Sequence, residues 1–294
     1  MSPIERRQLS RDLSALANAS VHAAIDEQQG LVDLCPLVGV SGPPGAGKST
    51  LIARLAQLRV EAGPVAIVAI DPTSPVSGGA ILGDRIRMAE LSEDPRIYIR
   101  SLATRSSHDG LADNLALIVE RLARAAFVEI VLETTGVGQV EYAIRAIADT
   151  MILVLTPGQG DQIQAMKAGI LETPDIFVIN KADQTGAEQT AREISTMVRL
   201  QNNCGWEPPV IPASVNDNAG LTALSAAIDA HRITLADSRG RTRAWRTHVV
   251  QSLVARRTDA ILRRMTDGDL AKPLTALFGE VARAITAGDG ETGS

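Results

Sequence analysis

The sequence predicts an α/β fold: a mostly parallel sheet flanked by helices, with helical extensions at both ends. Three observations carry this. Apolar runs alternate with helical stretches from Leu37 to about His231, the pattern of a sheet covered on both faces. A glycine-rich loop joins the first apolar run to the first long helical stretch. The polar motifs stand directly after apolar runs, at the carboxyl ends of strands, where such sheets bind ligands.

In chain order, residues 1–36 read as one or two short helices with Leu9, Leu13 and Leu16 on one side. Pro36 to Val40 is a short apolar run and reads as a buried strand. Ser49 to Ala62 follows the glycine loop with Leu51, Leu55 and Leu58 at helical spacing. Further strands are expected at "VAIVAID" (65–71), "IYIRS" (97–101), "VEIVLET" (128–134), "MILVLT" (151–156), "IFVINKAD" (176–183) and "PVIPAS" (209–214). After Arg232, "LADSRGRTRAW" reads as a polar connection. Trp245 to Met265 then shows Val249, Leu253, Ile261 and Leu262 in a helical pattern, and a second helix is expected around Pro273 to Ala287. This tail cannot extend a parallel sheet and reads as an appendage. The final "AGDGETGS" reads as disordered. The expected division is a helical extension over 1–36, the sheet domain over 37–232 and a helical arm over 241–288.

A chain of 294 residues can bury one large core. Hydrophobic residues make up 45 % and charged residues 21 %, and no apolar segment is long enough to cross a bilayer, so no membrane association is expected. The N-terminus carries charge without an apolar core segment, which argues against a secretory signal. Cys35 and Cys204 have no metal-ligand spacing and imply no disulfide framework, so a cytoplasmic location is expected. A net charge of −5 with 2 % aromatic residues argues against nucleic acid as a partner.

The glycine loop, "GVSGPPGAGKSTL" from Gly39 to Leu51, matches G-x-x-x-x-G-K-[ST] at Gly42, Gly47, Lys48 and Ser49. Successive backbone N–H groups and a helix N-terminus then point at one spot. Lys48 adds a mobile positive charge, and Ser49 adds a hydroxyl for Mg²⁺. The fold expected is that of a P-loop NTPase.

The nucleotide is expected to be GTP or GDP. "INKAD" matches N-K-x-D with Asn180, Lys181 and Asp183 at a strand end. An ionised carboxylate only accepts hydrogen bonds, so Asp183 can take two from guanine N1–H and N2–H₂, which adenine lacks on that edge. Lys181 would lay its stem over the base, and Asn180 would tie this loop to the phosphate loop. Ser214 and Val215, in "PASVND", stand where a backbone N–H would meet guanine O6.

A GTPase also needs a second metal anchor and a glycine touching the γ-phosphate. In "LETTGVGQ", Glu133 closes a strand and Gly136 follows three residues later, with Gln139 a candidate for orienting water. In "IDPTSPVSGGAILGDRIRM", Asp71 ends a strand and Asp84 lies thirteen residues on, beyond a Ser/Gly-rich loop. Mg²⁺ takes few protein oxygens and keeps several waters. Either acid is a candidate ligand, with the other acting through water or as a switch.

Five segments, "SGPPGAGKST", "DPTSPVSGGAILGDRIRM", "RSLATRSSHDGLA", "ETTGVGQVE" and "PGQGDQIQAMKAGILETPDIFVINKAD", together resemble the MeaB/ArgK family over about residues 37–225. The resemblance implies a homodimeric GTPase with a C-terminal helical dimerisation arm. It implies a G-protein chaperone that gates adenosylcobalamin loading and protection of methylmalonyl-CoA mutase or a related acyl-CoA mutase. By position, the phosphate loop falls on Gly42, Pro43, Pro44, Gly45, Ala46, Gly47, Lys48, Ser49 and Thr50. Catalytic roles fall on Lys48, Asp71, Asp84 and Glu133, metal ligation on Ser49 and these three acids, and a further nucleotide-linked switch on Gln164 and Lys167. The sequence departs from the family pattern at Ser106, Ser107, His108 and Val215. A P-loop kinase acting on a protein or an amino-acid transport substrate is the alternative. The scattered His22, His108, His231 and His248 fit a nickel chaperone poorly.

Overall fold

The computed structural model describes residues 2–20, 23, 35–72, 93–104, 114–134, 144–158, 174–200, 205–235 and 238–286. Among these, seven strands form one sheet: β1 (Leu37–Ser41), β2 (Val65–Pro72), β3 (Ile97–Thr104), β4 (Glu129–Thr134), β5 (Thr150–Leu155), β6 (Ile176–Ile179) and β7 (Val210–Pro212). Their order is β3-β2-β4-β1-β5-β6-β7, and every pairing is parallel. Strands β1, β4, β5 and β6 are buried at every residue, which is why they read as continuous apolar runs rather than alternating ones.

Alternate side chains of one strand point to opposite faces, and this sorts the core into layers. Val38 and Val40 of β1 with Val65 and Ile67 of β2 meet Leu51, Ile52 and Leu55 of α2 (Lys48–Arg59) and Leu221, Leu224 and Ile228 of α5 (Asn218–Thr234). On the other face, Leu37, Ala66, Val68 and Ile70 meet α1 (Pro3–Ala17) through Leu9 and Leu13, and α3 (Leu115–Arg124) through Leu115, Ile118 and Leu122. Helix α4 (Ala187–Leu200) covers β5 and β6 with Ile194, Met197 and Val198. Leu58, expected on the core face of α2, is instead 41 % exposed. It stands in the last turn and borders a pocket of about 510 Å³ between the ends of α2 and α5.

The N-terminal helix starts with Pro3 behind a capping box of Ser2 and Glu5, which satisfies two orphan N–H groups. It is stitched to the edge strand: Arg6 Nη2 donates to the Ile97 carbonyl at 2.8 Å, and the Ser10 hydroxyl lies 3.0 Å from Tyr98 Oη. Asp12 pairs with Arg121 of α3 at 2.7 Å.

The chain ends in a helical hairpin, α6 (Ser238–Leu262), the single turn α7 (Asp267–Leu270) and α8 (Leu274–Thr286). The expected polar connection is mostly helix, since α6 begins at Ser238. Its arginines and Ala244 favour helix without giving a periodic apolar face, so periodicity underestimates it. Trp245 and Val249 anchor α6 in the core. Arg256 Nη1 donates to Asn114 Oδ1, and Asn114 Nδ2 donates to the Leu16 carbonyl at 2.6 Å, tying α6 to α1 and α3. Helix α8 packs on α6 with no residue fully buried and leaves Leu274 and Phe278 82 % and 76 % exposed. The final eight residues lie outside the described residues.

Candidate guanine nucleotide site

Strand β1 sits centrally, and the chain leaves its carboxyl end through the glycine loop into α2. Gly42 has φ +143°, and a Cβ there would come 2.1 Å from the Val154 carbonyl oxygen, so only glycine fits beside β5. Gly47 caps α2 with φ +82°, and a Cβ there would meet Asn180 Nδ2 at 2.5 Å. The turn between them carries Pro43, Pro44, Gly45 and Ala46, of which Pro44 and Gly45 are exposed. Lys48 is buried and curls over the loop, its ammonium donating to the carbonyls of Gly42 at 2.6 Å and Pro43 at 3.0 Å. Thr50 is exposed on the first turn of the helix.

Ser49 and Glu133, 84 residues apart, meet beneath this loop. The Ser49 hydroxyl donates to Glu133 Oε1 at 2.6 Å, with both residues buried. Glu133 pairs in register with Val40 of β1 and Ala69 of β2, so β4 delivers it to the level of the loop. Asp71 lies two residues past Ala69 on β2, at the same end of the sheet. Its side chain lies outside the described atoms. Asp84, Gly136, Gln139, Gln164 and Lys167, together with Ser106, Ser107 and His108, lie outside the described residues.

The N-K-x-D loop follows β6. Asn180 is buried, and its Nδ2 donates to the Ala46 carbonyl at 2.7 Å. Lys181 takes a left-handed backbone, φ +57°, and its Nζ donates to the Gly45 carbonyl at 3.0 Å. Asp183 is exposed, and Oδ1 accepts from the Ser214 hydroxyl at 2.8 Å. A bridge between Ser214 and Asp217 folds the loop after β7 back on itself and leaves Val215 exposed. The structure thus brings Gly42 to Thr50, Glu133, Asn180 to Asp183 and Ser214 to one end of the sheet. Sequence reading missed that Asn180 occupies the space a side chain at residue 47 would need, because that contact spans 133 residues.

The arrangement is a glycine-rich loop with Lys48 folded over it, tied by hydrogen bonds from Asn180 and Lys181 to a second loop that carries the exposed Asp183. The family model for methylmalonyl-CoA mutase-associated GTPase MeaB matches residues 20–269. The chain belongs to this family. It is a GTP hydrolase with a P-loop fold, and its nucleotide is a guanine nucleotide. Among relatives of this MeaB-family chain, a Pyrococcus abyssi protein provisionally named a GTPase is 44 % identical over 241 residues, 78 % of this chain and 74 % of that protein. A Mycobacterium bovis protein of similar description is 34 % identical over 304 residues, covering 97 % and 88 %. The mitochondrial methylmalonic aciduria type A homolog of Mus musculus is 37 % identical over 193 residues, 64 % of this chain and 46 % of that protein. Among solved structures, an LAO/AO transport system kinase matches with TM-score 0.62 at 18 % identity, covering 98 % of this chain and 99 % of that one. HypB of Helicobacter pylori, solved with nickel, matches with TM-score 0.50 at 16 % identity, covering 78 % and 99 %. At these identities the likeness is one of fold.

Proposed function

We propose that this MeaB-family GTPase couples GTP hydrolysis to the loading and protection of an adenosylcobalamin-dependent acyl-CoA mutase, methylmalonyl-CoA mutase or a related enzyme. The observation that carries the nucleotide half is the joining of base loop to phosphate loop, Asn180 to Ala46 and Lys181 to Gly45, with Asp183 oriented by Ser214. The mutase half is supported by family membership and by the kinship with the methylmalonic aciduria type A homolog.

Mg²⁺ fits the residues present. A serine hydroxyl and a glutamate carboxylate meet at 2.6 Å, a hard-oxygen donor pair of the kind this ion accepts alongside water. Ser49, Glu133, Asp71 and Asp84 are the residues proposed to hold it, and when bound it supplies positive charge against the β- and γ-phosphates. Lys48 leaves the Gly42 and Pro43 carbonyls to meet the same phosphates. Backbone N–H groups of Gly45, Gly47, Lys48, Ser49 and Thr50, with that of Gly136, hold the transferring group for in-line attack by water. Catalysis here is positioning and charge stabilisation.

The γ-phosphate would favour one arrangement of the segments around Asp84, Gly136, Gln164 and Lys167, which the mutase reads. Coupling of this kind is reciprocal, so the mutase must alter GTP affinity by the factor by which GTP alters mutase affinity. Helices α6 to α8, with Leu274 and Phe278 outward, are the proposed homodimerisation arm, in a cytoplasmic protein. The test measures phosphate release from GTP and ATP by the chain alone and with purified mutase. Release from GTP alone, faster with mutase, is expected; equal use of ATP, or indifference to every acyl-CoA mutase tried, overturns the reading.

A further inference from the structure

The opposite end of the sheet holds a second contact between α2 and β4. Arg59, the last residue of α2, donates from Nε to Glu129 Oε1 and from Nη2 to Glu129 Oε2, both at 2.6 Å. Glu129 is the first residue of β4, and the two side chains are 9 % and 3 % exposed. The guanidinium also donates to Asp229 Oδ1 at 2.9 Å and to the Ser225 hydroxyl at 2.8 Å, both on α5. Burial works against the charge on Arg59, but the bonds to Glu129 and Asp229 more than offset it and hold the pKa above its ordinary value.

The helix and strand that carry this fork carry Ser49 and Glu133 at their other ends. Ten residues of helix from Ser49 to Arg59 span about 15 Å. Four steps of strand from Glu129 to Glu133 span about 13 Å. The two lengths nearly match, so a rigid helix can make both contacts at once. A planar, two-pronged fork also fixes direction, which a point charge does not.

We infer that Arg59 and Glu129 are a positioning pair: by pinning the far end of α2 to β4 they hold the Ser49 hydroxyl and the Glu133 carboxylate at the separation that Mg²⁺ binding requires. The inference rests on the proposed metal role of Ser49 and Glu133. Arg59 and Glu129 stand at the ends of α2 and β4 away from the proposed nucleotide site. Their effect reaches the site through the axis of the helix, so it appears in the magnesium dependence of nucleotide binding and not in recognition of the base.

The test uses the full chain and a fluorescent GDP analogue, whose dissociation rate is measured across magnesium concentrations and in EDTA. The variants are Arg59→Lys, Glu129→Gln and the double change Arg59→Met with Glu129→Leu, which removes both charges and leaves neither buried alone. Ser49→Ala and Glu133→Gln report on the metal site itself, and Ser225→Ala removes a bond to Arg59 without breaking the link from α2 to β4. The expected result is that Arg59→Lys, Glu129→Gln and the double variant need roughly tenfold more magnesium to slow release, with the rate in EDTA and the preference for guanine unchanged. Ser225→Ala stays at the wild-type value. A wild-type magnesium dependence in the double variant, whatever its melting temperature, overturns the inference if Ser49→Ala and Glu133→Gln have shifted theirs. Should those two also match wild type, the metal reading falls and takes the inference with it.

Discussion

The side-chain amide of Asn180 lies 2.7 Å from the Ala46 carbonyl and stands in the space that a Cβ on residue 47 would need. With the bond from Lys181 Nζ to the Gly45 carbonyl, it holds the loop proposed to bind phosphate against the loop proposed to bind the base. Asn180→Ala leaves a buried carbonyl without its donor, at about 1–3 kcal/mol. Guanine nucleotide affinity is expected to fall about tenfold or more, with little change in preference for guanine over adenine. Titration calorimetry with GDP and ADP checks both halves.

Preference for guanine is proposed to rest on Asp183, whose carboxylate only accepts. Asp183→Asn replaces one acceptor with a donor and breaks the match to guanine N1–H and N2–H₂. Xanthine nucleotides, which carry a carbonyl in place of N2–H₂, are expected to gain relative to guanine ones by about two orders of magnitude. Competition binding between the two measures this. Ser214→Ala frees the carboxylate from its 2.8 Å donor and is expected to weaken GDP binding less than the change at Asp183.

Gly42→Ala tests the fit between the loop and β5. The added methyl collides with the Val154 carbonyl oxygen 2.1 Å away at a backbone angle that side chains disfavour. The loop must move or the strand must bend, so phosphate binding is expected to be lost while the sheet remains folded. Nucleotide titration followed by circular dichroism separates these outcomes.

His231 predicts an acid limit to stability. It is buried, its Nδ1 lies 2.9 Å from the Thr150 hydroxyl, its Nε2 is 3.5 Å from Asp175 Oδ1, and its ring packs on Trp206. Burial lowers its pKa below the ordinary 6.5; Asp175 opposes the shift and Arg145 adds to it. The unfolded chain therefore takes up the proton first, and stability present above pH 6.5 is lost as pH falls below it. Melting temperatures between pH 7.5 and 5 are expected to fall, and His231→Gln is expected to flatten that slope.

Phe278 and Leu274 stand one helical turn apart on the outer side of α8, 76 % and 82 % exposed. If this face joins two copies, Phe278→Asp is expected to convert dimer to monomer in sedimentation velocity without lowering GDP affinity. An unchanged sedimentation coefficient removes α8 from the dimer interface.

The amino-acid sequence by itself determined the strands, the glycine-rich loop and the N-K-x-D loop, because those signals are local: apolar runs, glycines at fixed offsets and a tetrapeptide at a strand end. It misread residues 238–245, where an arginine-rich stretch forms helix without a periodic apolar face. Tertiary structure alone decided that Ser49 meets Glu133, that Arg59 forks onto Glu129 and that Asn180 replaces a side chain at Gly47. These partners lie 70 or more residues apart. Their meeting depends on strand order, which places β4 beside β1 and β6 two strands from it, and no local pattern of residues encodes that order.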